Sequence, residues 1–186
     1  MFKIFKKNYI SMKIKKKNEQ IISVKKKRFF DKRGYFLEIF KENKLKKKFP
    51  FCVMSYSRKN VVRGLHIQTK NPQGKFITVI QGKIFDVAVD LRKNSKTFGK
   101  VFTNTLSENN SKSLFIPSGF AHGFCALDKH NYVIYSCTKY RDKKSEKTII
   151  YNDKNLKINW PVLKPILSKK DKKGITFLEY KKKISK

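Results

Sequence analysis

The chain has 186 residues, of which 39% are hydrophobic and 13% aromatic, enough for one packed domain and too apolar for a disordered polymer. No stretch approaches the roughly 20 apolar residues of a membrane helix, and no apolar run follows the basic N-terminus as in a signal peptide. The formal net charge is +33, carried by forty lysines and only six arginines spread over the chain. Because base and phosphate recognition favours the bidentate guanidinium, we expect a solvated lysine coat and no specific nucleic-acid interface.

The chain divides into a basic N-terminal extension, residues 1–19, and a single domain, residues 20–186. The first eleven residues place apolar side chains among lysines, which would suit a short helix on a membrane surface. An extension ahead of a start at Met12 is the interpretation we favour. Farther along, Cys52, Cys125 and Cys137 form no CxxC pair, which predicts reduced, buried thiols in a cytoplasmic protein.

From about residue 21 onward, apolar and polar residues alternate with a period of two, and turn residues separate the short runs. The predicted strands are 35–40, 52–57, 61–68, 76–81, 83–91, 101–106, 114–116, 120–126 and 131–139, with one short helix at 41–48. Many short strands at regular spacing indicate an antiparallel sandwich or barrel.

Three histidines are available for chemistry. In the strand 61–68, alternation places His66 on the face of Gly64 and Gln68, which suggests a polar interior. His122 lies in the strand 120–126 with Gly119 and Gly123 close by, and His130 lies in a charged turn where solvation explains it. A lone strand histidine is more often a hydrogen-bonded core residue than a catalyst, so the alternation alone leaves both interpretations open.

A metal site is not expected. Metal-binding barrels of this kind usually have a His-x-His pair with a further acid and histidine. In this chain His66 is the first residue of such a pair, but Gln68 stands in place of the second histidine. An amide binds first-row metals poorly, and His122 is 56 positions away from His66.

A series of motifs between about residues 20 and 180 resembles, in order, those of the dTDP-4-dehydrorhamnose 3,5-epimerases. They are Phe29-x-Asp31-x-Arg33-Gly34-Tyr35-Phe36-x-Glu38-x-Phe40, Ser55-x-Ser57, Asn60-Val61-Val62-Arg63-Gly64-Leu65-His66-x-Gln68, Gln73-Gly74-Lys75, Ile116-Pro117-x-Gly119-Phe120-Ala121-His122-Gly123-Phe124, Thr138-x-Tyr140, Ile158-x-Trp160-Pro161 and Leu167-Ser168-x-Lys170-Asp171. The resemblance implies an all-β fold, a double-stranded β-helix (cupin jelly roll) with short flanking helices. It also implies a homodimer that acts on a nucleotide sugar and uses no metal or organic cofactor.

The resemblance assigns four catalytic roles. His66 matches the family base, Asp171 the carboxylate that orients it, Tyr135 the proton donor on the opposite face, and Lys75 the cation near the substrate carbonyl. The positions that match substrate-binding residues are Phe29, Arg33, Glu38, Arg63, His122, Tyr140, Glu146 and Lys170. Taken singly, Tyr135 would be an ordinary core aromatic, Lys75 a solvated lysine and Asp171 part of a charged turn.

One departure from the family pattern concerns specificity. Where the family usually has Gln-x-Asn, this chain has Phe51, Cys52 and Val53. The expected reaction is conversion of dTDP-4-dehydro-6-deoxy-D-glucose to dTDP-4-dehydro-L-rhamnose. Alternatives are an epimerase of another activated sugar or of one carbon only, a basic nucleic-acid-binding β-barrel, and a metal-dependent cupin oxygenase, which Gln68 disfavours.

Overall fold

Two antiparallel five-stranded sheets face each other in the computed structural model, which describes residues 21–185. Sheet I has the strand order β1-β9-β6-β11-β4, sheet II has the order β12-β5-β10-β7-β8, and β2 and β3 form a separate hairpin. The strands are β1 Ile22–Lys25, β2 Arg28–Asp31, β3 Gly34–Leu37, β4 Phe51–Arg58, β5 Val62–Gln68, β6 Lys75–Gln81, β7 Lys83–Asp90, β8 Val101–Ser107, β9 Lys112–Ile116, β10 Phe120–Ala126, β11 His130–Cys137 and β12 Glu146–Thr148. The helices are α1 Glu42–Leu45, α2 Lys169–Lys172 and α3 Phe177–Ser185.

The core between the sheets follows from the alternation along each strand. On β7, Ile84 and Ala88 point inward and pack with Phe124 of β10 and with Ile77 and Val133 of sheet I. Each of these five side chains is at most 1% exposed. Burying such side chains contributes about 1.5–3 kcal/mol for each of the larger ones, so this layer stabilises the contact between the two sheets.

The outer face of sheet II is covered by the C-terminal part of the chain. Leu65 and Val89 on that face pack with Leu156 and Tyr180, and Trp160 lies against the same cluster. Isolated parallel bridges at Val61–Ile166 and Ile149–Ile175 attach this segment to the sheet. The segment therefore has a fixed position, which matters because it carries Asp171.

The outer face of sheet I is only partly covered. Its strands β1, β6 and β9 pack against α1 and the residues around it, through a cluster that includes Phe76 and Phe115. The rest of the face and the β2–β3 hairpin leave large apolar side chains in solvent. Those exposed by 39% or more are Phe29, Phe30, Tyr35, Phe36, Met54, Tyr56 and Ile80.

Two local features hold the strands of sheet II in place. Gly64 has a φ of 114°, and a Cβ there would lie 2.6 Å from the Cα of Gly123, so the strands β5 and β10 approach at a spacing that only glycine allows. At the end of β7, the buried carboxylate of Asp90 accepts hydrogen bonds from Arg92, Ser95 and Thr97 and thereby fixes the loop that follows.

The predicted jelly roll is confirmed, and the predicted strands correspond to β3 to β11. Three short strands, β1, β2 and β12, were not predicted. Short flanking helices were expected, but the sequence located only one of them, at 41–48, where α1 has four residues. The predicted extension, residues 1–19, lies outside the described residues. Within residues 21–185, no helix has the length and apolar character that crossing a bilayer requires.

Candidate active site

Polar side chains from both sheets meet in the interior, beside the sheet edges formed by β4 and β12. His66, His122 and Asp86 lie on β5, β10 and β7 of sheet II, where His66 and His122 are paired in register. Lys75 and Tyr135 lie on β6 and β11 of sheet I. Five chemically active side chains therefore come together from strands that are distant in sequence.

His66 and Asp171 form a close pair. The Nε2 atom of His66 lies 2.5 Å from Oδ1 of Asp171, and the two side chains are 28% and 5% exposed. Asp171 is held at the start of α2, where its backbone N–H donates to Oγ of the N-cap residue Ser168. Burial would raise the pKa of Asp171, but hydrogen bonds from His66 and Ser168 outweigh it and hold the pKa below its ordinary value of 3.8. At neutral pH the carboxylate is therefore charged and orients the imidazole.

Tyr135 lies on the opposing sheet. Its hydroxyl is 3.1 Å from Oγ of Ser55 on the neighbouring strand β4. Burial raises the pKa of Tyr135 well above its ordinary value of 10.0, although Ser55 and the charge of Arg63 act in the other direction. The phenol therefore keeps its proton at neutral pH, as a proton donor must.

His122 and Asp86 form a second, more deeply buried pair. Their Nε2 and Oδ2 atoms are 2.7 Å apart, and the side chains are 4% and 1% exposed. The His122 ring lies edge-on to Tyr135, with 6.2 Å between the ring centroids. The second oxygen of Asp86, Oδ1, has no hydrogen-bond partner among residues 21–185. Asp86 was not predicted as a site residue; it lies on the same face of β7 as Ile84 and Ala88, which point into the core.

Lys75 is paired in register with Cys137 on β11. Burial lowers the pKa of Lys75 below its ordinary value of 10.5, while nearby Cys137 and Glu146 act to raise it. A compact, partly desolvated ammonium group is suited to stabilise negative charge on a ligand oxygen.

A charged network lies at the edge formed by β12. Glu146 binds Arg141 at 2.8 Å and Lys170 at 2.5 Å, and its own side chain is only 8% exposed. Glu146 and Lys170 were predicted from the sequence, whereas Arg141, which lies in a loop with no periodic pattern, was not.

Arg63 also belongs to the site, although strict alternation would place it on the opposite face from His66. Its Nε donates to Oγ of Ser57 at 2.9 Å, and its charge acts on Tyr135. The alternation fails at this point because it is interrupted at Gly64, whose φ is 114°.

The structure does not bring the first three predicted binding residues to this site within one copy of the chain. Phe29, Arg33 and Glu38 lie on or beside the β2–β3 hairpin, where Arg33 pairs with Asp31 at 2.7 Å and Glu38 with Lys41 at 2.8 Å. Within one copy the hairpin packs by the outer face of sheet I, and the substrate-binding role of these three residues stays a prediction.

The remaining predicted residue, Tyr140, lies at the rim of the site. It is 68% exposed, and its ring centroid is 5.9 Å from that of Phe51. Val53 is paired in register with Tyr135, so an apolar side chain stands directly beside the phenol.

The donors present do not form a metal centre in the described part of the chain. Among residues 21–185, no three His, Cys, Asp or Glu side chains are grouped so that they could hold a metal ion. All three cysteines are free thiols, and none of them pairs with another.

Comparison with known proteins gives consistent results. The family model described as dTDP-4-dehydrorhamnose 3,5-epimerase matches residues 15–179. The Shigella flexneri enzyme of that name is 40% identical over 173 residues, which are 89% of this chain and 96% of the relative. The Neisseria gonorrhoeae enzyme is 46% identical over 160 residues, covering 83% of this chain, which spans only 49% of that relative's length.

Among solved structures, the 3,5-epimerase of Legionella pneumophila in complex with dTDP-4-keto-L-rhamnose is 38% identical, with a TM-score of 0.82. The match covers 88% of this chain and 90% of that one. Sequence, fold and family model thus agree, and the chain belongs to the dTDP-4-dehydrorhamnose 3,5-epimerase family.

Proposed function

We propose that this chain epimerises C3 and C5 of a nucleoside-diphosphate 4-keto-6-deoxy sugar, converting dTDP-4-dehydro-6-deoxy-D-glucose to dTDP-4-dehydro-L-rhamnose. One observation carries the proposal: His66, held by Asp171, and the protonated Tyr135 extend from opposing sheets into one interior site beside Lys75. The relative from Legionella pneumophila, solved with the product sugar nucleotide, supports the choice of substrate.

The chemistry follows from the substrate. Hydrogens at C3 and C5 are acidic because the electron pair left on carbon is delocalised into the C4 carbonyl. With Nε2 bound to Asp171, Nδ1 of His66 is the nitrogen left to take the proton. Lys75 stabilises the enolate oxygen, and Tyr135 returns a proton to the carbon from the other face. Inversion results because removal and return use opposite faces of the ring.

Proton exchange in D₂O tests this proposal. With the dTDP-4-keto sugar in D₂O, deuterium should enter at both C3 and C5 while the configuration changes, as observed by NMR. Exchange at one carbon only would support the single-carbon alternative, and no exchange at either would contradict the proposed reaction.

A different sugar is the second candidate, and the rim of the site is the reason. Phe51 and Val53 stand where the family usually has two amides, and unmade polar contacts cost about 1–3 kcal/mol each. If the dTDP sugar is the substrate, Phe51→Gln with Val53→Asn should lower its KM and leave kcat nearly unchanged. A wild-type preference of tenfold or more for a CDP-, UDP- or GDP-linked sugar would contradict the rhamnose assignment but not the epimerase reaction.

We further propose that the active protein is a homodimer. The exposed apolar side chains of the hairpin and of β4 and β6 form a surface of the kind that partners cover. In a dimer formed through this face, the hairpin of one copy can bring Phe29, Arg33 and Glu38 to the site of the other copy. In this arrangement the three residues would bind substrate in the partner copy, which they do not approach in their own.

The proposed reaction needs no metal and no organic cofactor. Activity should therefore survive prolonged chelation. Loss of activity that Zn²⁺, Fe²⁺ or Mn²⁺ restores would contradict this. Nucleic acid is not a specific partner, and a location in the cytoplasm suits three free thiols.

A further inference from the structure

A cavity of about 230 Å³ lies between the β2–β3 hairpin and sheet I, and it shares no residue with the site of His66. One wall is apolar and comes from β3, the residues that follow it and β6. The apolar side chains that line it are Phe36, Leu37, Ile39, Val79 and Ile80. The other wall is formed by Lys26, Arg28 and the turn between β8 and β9. An apolar pocket with a few converging polar groups is the usual form of a small-molecule site.

The ammonium group of Lys26 is a buried charge without a counter-ion in the described part of the chain. Lys26 is 6% exposed, and among residues 21–185 its Nζ makes one hydrogen bond, donating to Oγ of Ser113 at 2.8 Å. An ammonium group has more N–H donors than this single bond uses. Burial and, second to it, the charge of Arg28 lower the pKa of Lys26 from 10.5 to about 8, and no carboxylate acts to raise it. At neutral pH the group is therefore a cation that an anion would stabilise.

Arg28 supplies a second cation to the same wall. Its Cζ atom lies 4.5 Å from the centroid of the Tyr35 ring, and its Nη2 donates to the backbone carbonyl of Glu108. The Nε atom is buried and has no hydrogen-bond partner among residues 21–185. Lys26 follows β1 of sheet I, whereas Arg28 begins β2 of the hairpin. Two like charges thus meet where the hairpin joins the sheet, each with an unused donor.

We propose that the cavity binds a small organic carboxylate, with the carboxylate group between Lys26 and Arg28 and an apolar body against Phe36 and Ile80. The apolar wall favours an organic body over inorganic phosphate, because phosphate would cover none of that wall favourably. The volume is below the roughly 300–1,000 Å³ of pockets for larger ligands, which argues against a nucleotide sugar. The net charge of +33 attracts anions to this surface in general. A bound carboxylate would join the hairpin to sheet I.

Proton uptake is a signature of this mode of binding. A carboxylate beside Lys26 raises the pKa of the ammonium group, because opposite charge favours the protonated form. The other titratable groups that line the cavity are Arg28, Tyr35 and Glu108. Glu108 is engaged elsewhere, since its Oε2 accepts from the backbone N–H of Gly82 at 3.2 Å. Binding should therefore take up protons near pH 8 and weaken as the pH rises above the pKa of Lys26, which is about 8.

Calorimetry on the full chain tests the proposal with benzoate as the probe. At pH 7, we expect benzoate to bind at least tenfold more tightly than benzyl alcohol, which lacks the charge, or inorganic phosphate, which lacks the apolar body. Lys26→Met and Arg28→Met should each lower benzoate affinity about tenfold. Lys25→Met removes the same charge from the exposed neighbouring position on β1 and should change it less than twofold. At pH 8, titrations in two buffers of different ionisation enthalpy should show proton uptake that Lys26→Met abolishes.

Several results would overturn the proposal. Absence of benzoate binding to the folded wild type would show that the cavity is closed or filled in the protein. Benzyl alcohol binding as tightly as benzoate would remove the cations from the site, and phosphate binding as tightly would make it a general anion site. An equal loss in Lys25→Met would reduce the effect to overall charge, and undiminished binding in both cavity variants would place benzoate elsewhere. Arg28→Met keeps the test decisive if Lys26→Met fails to fold.

Discussion

At the scale of the residue, the geometry of His66 and Asp171 determines what the site can do. The imidazole is partly exposed to the site, while the carboxylate behind it is almost fully buried. A charged carboxylate fixes the ring orientation and stabilises the imidazolium that forms when a proton is taken. Tyr135, whose pKa is raised, keeps its proton and is the donor that we propose for the opposite face.

We expect His66→Asn to reduce kcat by about 10²–10⁴-fold or more, the range associated with loss of a general base. The amide preserves the size and hydrogen-bonding capacity of the side chain but cannot take the proton. Turnover is measured by NMR, with circular dichroism as the check on folding. Near-normal turnover in a folded variant would exclude His66 as the base.

The residues of the site were predictable from sequence to different degrees. Alternation suggested a polar interior around His66, because period two relates the residues that share one face of a strand. It failed for Arg63, across Gly64, and it could not link His66 to Asp171, which is 105 positions away. Only the resemblance to a family indicated that His66 and Asp171 act together, and it did not include Arg141.

At the scale of the element, all strands of seven or eight residues were predictable, whereas of the five shorter strands only β3 and β9 were. β5, β7 and β11 show several alternations each, whereas β12 has three residues, too few to display a period. Helices α1 and α2 have four residues each and depend on tertiary contacts for their existence. The conformation of the loop after β7 could not be predicted from sequence either, because it depends on hydrogen bonds to the single carboxylate of Asp90.

We expect Asp90→Asn to lower the free energy of unfolding by about 2 kcal/mol at pH 7, because an amide cannot accept all the hydrogen bonds that the carboxylate receives. Burial would raise the pKa of Asp90, but bonds from Arg92, Ser95 and Thr97 outweigh it and hold the pKa far below 3.8. The stabilisation is therefore present above about pH 3.8 and lost as the pH falls through the lower folded-state pKa. Urea unfolding at several pH values measures the difference, which should narrow in acid; a constant difference would contradict this account.

At the scale of the whole molecule, the net charge of +33 and the exposed apolar face have opposite consequences for association. Two copies of the chain repel each other electrostatically, while the side chains on the outer face of sheet I favour contact. Added salt screens the first effect and leaves the second. Salt should therefore act in opposite directions on self-association and on binding to DNA.

We expect the dimer to become tighter between low and physiological salt, and DNA binding to become weaker, because the latter depends on counterion release. Sedimentation measures dimer formation and gel retardation measures DNA binding.

Met54→Asp, on the exposed face, should shift the protein towards monomer, whereas Leu163→Asp, at a side chain that is 100% exposed elsewhere, should not. A dimer unaffected by Met54→Asp would place the interface on another surface, and a sequence-preferring DNA complex that survives physiological salt would favour a nucleic-acid function.

The single tryptophan of the chain gives the C-terminal segment an optical signal of its own. Trp160 donates its indole N–H to the carbonyl of Tyr151 at 2.7 Å and packs edge-on against Phe85 of β7, 5.9 Å away. The same segment continues to Asp171, so the indole fluorescence reports the docking of the part of the chain that supplies the carboxylate behind His66. Undocking would expose the indole to water and shift its emission to longer wavelength. Stopped-flow fluorescence of the unlabelled protein can thus show whether the segment that carries Asp171 stays docked while substrate binds.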